Sequence, residues 1–369
     1  MGRRTETWVI SPEDLSASWL QDALSARYPG VRVAHVQVTS IHEMTNTHVR
    51  VSLTYEHAAG APDRVFVKLP PLDPRRRQLL GASGMGQREA RFYQLLAPHL
   101  KLRVPTPHAV CLEQDGGFAM VLEDLTASGC EPYDGIVGVT ADAAAVALED
   151  LAAMHVRFED SANRQDESVS WIRPPKPPKQ RTDGPDVGER LLRRGIDEHR
   201  ERLGEAYVAV GEVYITQRRG LVDAWTDAPA TVIHGDLHLG NLFSDHGRVG
   251  FFDWGIITLA DPMRDVSYFL CMALDVDVRR AQERDLMRTY LEARAALGGR
   301  ELGWDEAWSR HRIQSAYTVP ASCQAIRVPA AADAQTHAFA EAFLGRAMAA
   351  VTDLEAPAAL AAAGLEVPR

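Results

Sequence analysis

The stretch Thr231 to Trp254 reads T-V-I-H-G-D-L-H-L-G-N-L-F-S-D-H-G-R-V-G-F-F-D-W. Two apolar, strand-like pieces, Thr231 to Ile233 and Arg248 to Phe252, flank a polar loop that carries His234, Asp236, His238 and Asn241. The second piece delivers Asp253 at its end. Asn241 follows Asp236 by five positions, and Asp253 follows Asn241 by twelve. A carboxylate, a carboxamide and a second carboxylate are hard oxygen ligands of the kind that suits Mg²⁺, and one carboxylate can be left over to orient a substrate hydroxyl. Phosphoryl transfer needs both jobs. Taken singly, Gly235-Asp236 and Gly240-Asn241 could also be turn chemistry, with Asp and Asn satisfying their own backbone.

Upstream, Ser11-Pro12-Glu13-Asp14 predicts a helix start, with Leu15, Trp19, Leu20, Ala23 and Leu24 on its apolar face and Pro29-Gly30 as its stop. Strands are expected over Val31 to Ser40, His48 to Tyr55 and Arg64 to Leu69, the second alternating cleanly. Lys68 ends the third among apolar residues. In the helix that follows, Glu89 shares a face with Phe92, Tyr93 and Leu96. A carboxylate left unpaired on an apolar face would cost several kcal/mol, so a cation must reach it. Lys68 on the strand just upstream is the natural candidate, the alternative being a surface pairing of Glu89 with Arg88 or Arg91. Two more strands, Ala109 to Glu113 and Phe118 to Leu122, are joined by a predicted turn at Asp115-Gly116-Gly117, and Glu123-Asp124-Leu125 follows. Beyond it the pattern is mainly helical, around Val146 to His155, from Asp186 to about Ala224, and from about 279 to 352.

The segments H-G-D-L-H-L-G-N and F-D-W closely resemble the catalytic loop and metal-binding motif of the aminoglycoside phosphotransferase and choline kinase-like family, small-molecule relatives of the protein kinases. The resemblance implies an α+β, bilobal protein kinase-like fold. A β-sheet N-lobe over residues 1–125 would bind nucleotide, and a mainly α-helical C-lobe over 126–369 would carry the catalytic loop and the acceptor site. It implies Asp236 as catalytic base, Asn241 and Asp253 as Mg²⁺ ligands, and His234 and His238 as braces of the loop. Asp265, in the following D-x-x-x-D, would prop that loop, the alternative being a helix cap. Lys68 would contact the α- and β-phosphates and be positioned by Glu89.

Kinases cover the phosphates with a glycine-rich loop, but His42 to Thr47 contains no glycine. By resemblance Thr45 and Asn46 would donate to phosphate instead, unless this is a plain hairpin turn. The backbone of Glu123 and Leu125 would read the adenine edge, which leaves ATP and GTP both open as donors. The implied reaction moves the γ-phosphoryl group to a hydroxyl of a small molecule, whether aminoglycoside, macrolide, amine, sugar or sterol-like alcohol. The alternative is a catalytically silent nucleotide-binding regulator. A protein kinase is disfavoured, because only six residues separate Trp254 from Asp261 and no A-P-E follows.

The net charge of −10 lies almost wholly in the second part, since residues 1–125 carry 14 basic and 13 acidic side chains. Nucleic acid is therefore not an expected partner. An acidic C-lobe could attract a cationic acceptor or simply serve solubility. Cys111, Cys130, Cys271 and Cys323 form no C-x-x-C pair, which fits a reducing cytoplasm. No run approaches the roughly 18 apolar residues of a membrane span. Oligomeric state has no signature in the chain. Trp171 to Asp183 is proline-rich and basic, and is expected to be a solvated linker rather than a loop near the acceptor.

Overall fold

A five-stranded antiparallel sheet forms the first lobe, in the order β1-β2-β3-β5-β4. The computed structural model describes residues 11–113, 117–175 and 186–368. β1 (Arg32–Glu43), β2 (Thr47–His57) and β3 (Arg64–Leu69) match the expected strands, but β1 runs on past Ser40 to Glu43 and β2 extends from Thr47 to His57, paired from Arg32↔His57 to Glu43↔Thr47. Those added pairs are mostly solvent-exposed, so they leave no apolar alternation to read. β5 (Phe118–Glu123) lies between β3 and β4 (Pro107–Leu112). Asp115 and Gly116 of the predicted turn, and residues 176–183 of the proline-rich segment, lie outside the described residues, while the Glu113 amide donates to the Gly117 carbonyl at 2.9 Å.

Ser11 does not start the first helix. Its amide and hydroxyl both donate to the Asp14 carboxylate at 3.0 Å, which closes a single 3₁₀ turn over Pro12–Asp14. The helix α1 (Ala17–Leu24) begins afterwards, with Ser16 accepting from the Trp19 amide. The apolar face is as expected: Leu15, Trp19, Leu20 and Leu24 are buried with Val49, Val51, Val65 and Val67 on one side of the sheet.

On the other side lies α3 (Met85–Arg91), preceded by the short helix α2 (Pro74–Ser83) and continuing into one wider π-type turn, Phe92–Leu96. Glu89, Phe92, Tyr93 and Leu96 are all buried. The apolar residues of this face join Met120 and Leu122 of β5 to the second lobe in one continuous core.

The second lobe is mainly helical. A short strand β6 (Glu131–Pro132) precedes α4 (Ala141–Glu159) and α5 (Val187–Thr226), the latter broken at His199, Gly204 and Gln217 and capped by Asp186. β7 (Thr231–Ile233), β8 (Leu242–Asp245), β9 (Arg248–Phe251) and β10 (Thr258–Ala260) form two small sheets, β10-β7 and β6-β8-β9. Then follow α6 (Met263–Ala273), α7 (Val276–Ala296), α8 (Trp304–Ser315), α9 (Thr318–Ala321), α10 (Ala334–Asp353) and α11 (Ala356–Ala362). This is a bilobal, protein kinase-like α+β fold. Among the described residues no helix is long and apolar enough to cross a membrane.

Candidate active site

Lys68 is where the two lobes meet. Its ammonium lies 2.6 Å from Glu89 of α3 and 3.4 Å from Asp253, which follows β9. Lys68 and Glu89 are buried, so the pair is held in a medium where losing either partner costs about 3–5 kcal/mol. Burial works against the charge on Lys68, but the carboxylates of Asp253 and Glu89 outweigh it and raise its pKa. Burial pushes Glu89 up to about 7 against the opposing effect of Lys68. For Asp253 burial again opposes ionisation, and the Lys68 ammonium prevails, holding the carboxyl below its ordinary value.

Asp253 itself sits in the left-handed backbone region at φ +60°, a conformation uncommon for a residue with a side chain. The next residue, Trp254, stacks on Phe92 with ring centroids 3.9 Å apart and planes 8° from parallel. Asp253 and Glu89 are thus each followed closely in sequence by one member of the same aromatic pair.

The loop between β7 and β8 is braced from below. Asp265, at the third position of α6, accepts from the amides of His234 at 2.7 Å and Gly235 at 2.8 Å, with His155 of α4 behind it at 3.4 Å. The cap role falls to Asp261, which accepts from the Met263 amide. Gly235 has φ +87°, and a side chain there would approach the Ile256 carbonyl to 3.0 Å. Replacing the fully buried Asp265 with Ala strands two amides, at a cost on the order of 1–3 kcal/mol each. We expect a clearly lowered melting temperature in Asp265→Ala, partly restored in Asp265→Asn. An unchanged melting temperature would remove the brace.

His234 accepts from the Asp236 amide through Nδ1 at 3.2 Å and donates through Nε2 to the Phe252 carbonyl at 3.0 Å. That pattern fixes a neutral imidazole tied at both nitrogens. His238 Nδ1 accepts from the Gly240 amide, and its Nε2 is 3.7 Å from the Asp236 carboxylate. Burial lowers the His238 pKa, so it too is held neutral.

Asn241 donates its side-chain amide to both the backbone carbonyl and the carboxylate of Asp236, at 2.9 and 3.1 Å, which leaves its Oδ1 available as a ligand. The Phe252 amide donates to the Asn241 carbonyl at 3.1 Å, bringing Asn241 beside the strand end that bears Asp253. Among the described residues no group of three or more His, Cys, Asp or Glu could hold a metal alone. One carboxylate and one amide oxygen do fit Mg²⁺, which keeps several waters and takes few protein ligands.

Burial raises the pKa of Asp236. If Asp236 serves as a proton acceptor, only its ionised form does so, and turnover should fall as pH drops through a pKa above the ordinary aspartate value. A pH profile flat down to that value would take Asp236 out of the role.

A cavity of about 210 Å³ lies between the sheet and Asp253, lined by Lys68, Glu89, Glu123 and Leu125 among others. Thr45 and Asn46 are not brought to it. They form a tight turn closed by the Met44 amide on the Asn46 carbonyl, with Thr45 exposed and Asn46 buried. Glu123 presents no free carboxylate: Arg103 grips both its oxygens at 3.0 and 2.8 Å, and the Thr106 amide adds a third bond.

Several residues on the site escaped the sequence. His48 pairs with Lys68 across β2 and β3, and burial lowers its pKa to about 4. Arg88 donates to the Gly255 carbonyl at 2.8 Å. The position of Arg88 beside Glu89 was the available signal, and it pointed toward the surface. Trp171 and Arg173 are no free linker either, because the Arg173 carbonyl accepts from the Thr258 hydroxyl and the Leu259 amide on β10.

The fold is that of a kinase-like protein, and the family model places the chain among phosphotransferases. The chain belongs to the phosphotransferase enzyme family, whose family model matches residues 49–304. Choline kinase from Cryptosporidium parvum Iowa II is 10% identical with a TM-score of 0.51, over 93% of this chain and 97% of that one. A choline/ethanolamine kinase family protein from Mesorhizobium loti is 16% identical with a TM-score of 0.45, over 94% and 98%. Wild-type aminoglycoside 2'-phosphotransferase-IIIa in its GDP complex is 14% identical with a TM-score of 0.48, over 90% and 98%. At such identities the likeness concerns the fold. No curated protein matches the chain in sequence.

Proposed function

We propose that the chain transfers the γ-phosphoryl group of ATP or GTP to a hydroxyl of a small molecule, with the nucleotide held mainly by residues before 126 and the acceptor by the remainder. The observation that carries this is the buried Lys68, joined to Glu89 and Asp253 at the wall of the cavity between the lobes. Lys68 contacts the α- and β-phosphates. The base edge is read by the Glu123 carbonyl and the Leu125 amide, since the Glu123 amide donates to Thr106 and the Leu125 carbonyl accepts from Cys130.

Asn241 and Asp253 hold Mg²⁺, which when bound offsets phosphate charge. Asp236 accepts or orients the proton of the acceptor hydroxyl as that oxygen bonds to the γ-phosphorus and the bond to the β,γ-bridging oxygen breaks. His234, His238 and Asp265 keep the loop in place and transfer no proton. Positioning and electrostatics supply most of the acceleration. The four cysteines are unpaired, which supports a reducing, cytoplasmic setting.

The test is Mg²⁺-dependent formation of ADP or GDP with pooled hydroxylated small molecules. Turnover with one pool supports the proposal. Nucleotide binding without transfer to any pool would favour a silent binder, and no binding at all would overturn the site.

A further inference from the structure

A second cavity, of about 840 Å³, has Gly235 in its wall, one residue from Asp236. The loop that bears the proposed base therefore contributes to this wall, together with Tyr317. Its wall is formed in part by α5, β10, α6 and α9 of the second lobe, with Trp171 and Arg173 at the start of the proline-rich segment.

The acid excess of this lobe does not line it. Four arginines do, Arg88, Arg173, Arg218 and Arg264, and the described lining residues include no Asp or Glu. Arg218 pairs with Asp186 outside the wall, while its buried Nε has no partner among the described residues. The other three have neutral partners. Arg88 donates to the Gly255 and Ser83 carbonyls, Arg173 to those of Ser170 and Ile172, and Arg264 to the Gln314 side-chain oxygen at 2.8 Å. A neutral carbonyl orients a guanidinium without cancelling its charge. Asp261 and Asp265 lie close enough behind Arg264 to offset part of its charge, but the described groups that face the recess are arginines and not acids.

Aromatic rings complete the wall and could in principle host a cationic amine. Two of those faces are already taken: the Arg264 guanidinium lies 3.7 Å from the Tyr317 ring centroid and 4.9 Å from that of Trp225. A second cation would meet Arg264 instead of a free π-face. An anion would meet fixed donors.

We propose that this cavity is the acceptor site of the transfer proposed above, and that the acceptor bears a carboxylate or phosphate group on an aromatic or apolar body, held by Arg264 and Arg88. The assignment as acceptor site rests on the phosphotransfer reading, whereas the preference for an anion rests on the wall alone. Polycationic acceptors are rejected by like charge.

The full chain is tested with three pools of hydroxylated aromatic compounds of matched size, carrying a carboxylate, a methyl ester or a primary amine. The shift in melting temperature reports binding, and ADP release from Mg²⁺ and ATP reports transfer. The carboxylate pool should shift the melting temperature and be turned over. Arg264→Gln and Arg88→Gln should each raise its KM roughly tenfold or more, by a clearly larger factor than for the ester pool. Binding or turnover confined to the amine pool, carboxylate kinetics unmoved in both variants, or no shift with any pool would overturn the inference. A carboxylate-selective shift without ADP release would instead overturn the phosphotransfer reading and leave the anion preference standing.

Discussion

Asp236→Ala is expected to lower kcat by about a hundredfold or more, near 3 kcal/mol of barrier, with nucleotide affinity close to that of the parent chain. The asymmetry follows from where the carboxylate is tied. Asp236 bonds to Asn241 and approaches His238, whereas Lys68 is engaged by Glu89 and Asp253. Removing it therefore leaves the ion pairs of Lys68 intact. Asn241 keeps its second anchor, the Asp236 backbone carbonyl at 2.9 Å. Asp236→Asn separates geometry from chemistry, because it preserves the shape of the side chain while removing the proposed proton acceptor. Equal losses in both variants point to the proton, and retained turnover in either would take Asp236 out of the base role.

Asp253→Asn should abolish the metal-dependent part of ATP binding, a loss of at least about tenfold in affinity, or ~1.4 kcal/mol. Asn is the informative substitution here because it tolerates the left-handed backbone at this position better than most residues. The variant thus loses charge rather than local structure. It also takes from Lys68 one of its two carboxylate neighbours and leaves the Glu89 pair. Calorimetric titration with ATP in Mg²⁺ and in chelator measures the difference. An affinity for ATP with Mg²⁺ that matches the parent chain would remove Asp253 from the metal.

Much of this arrangement is legible before folding, because charge on an apolar face has few solutions. Glu89 among Phe92, Tyr93 and Leu96 demands a cation, and the structure supplies Lys68 at 2.6 Å. The kinase-like fold is legible for a related reason: its loop residues come with their flanking strands at fixed spacing. Thr45 and Asn46 show where such reading stops, since pairing of Glu43 with Thr47 tightens the turn between them. Strand pairing of exposed residues leaves no mark in apolar alternation. The arginine-lined wall was hidden for a further reason. Arg88, Arg173, Arg218 and Arg264 come from four separate parts of the chain, and a regional charge count averages them with acids that face elsewhere.

The stacked rings of Phe92 and Trp254 have a mechanical meaning. Many kinase-like switches work by swinging the helix that bears the glutamate away from the lysine, or by turning the metal-binding aspartate out of the cleft. Here both moves would have to peel apart the same buried aromatic pair, whose burial and stacking oppose separation by several kcal/mol. Phe92 and Trp254 thereby tie the stretch that bears Glu89 to the stretch that bears Asp253, the two carboxylates that flank Lys68.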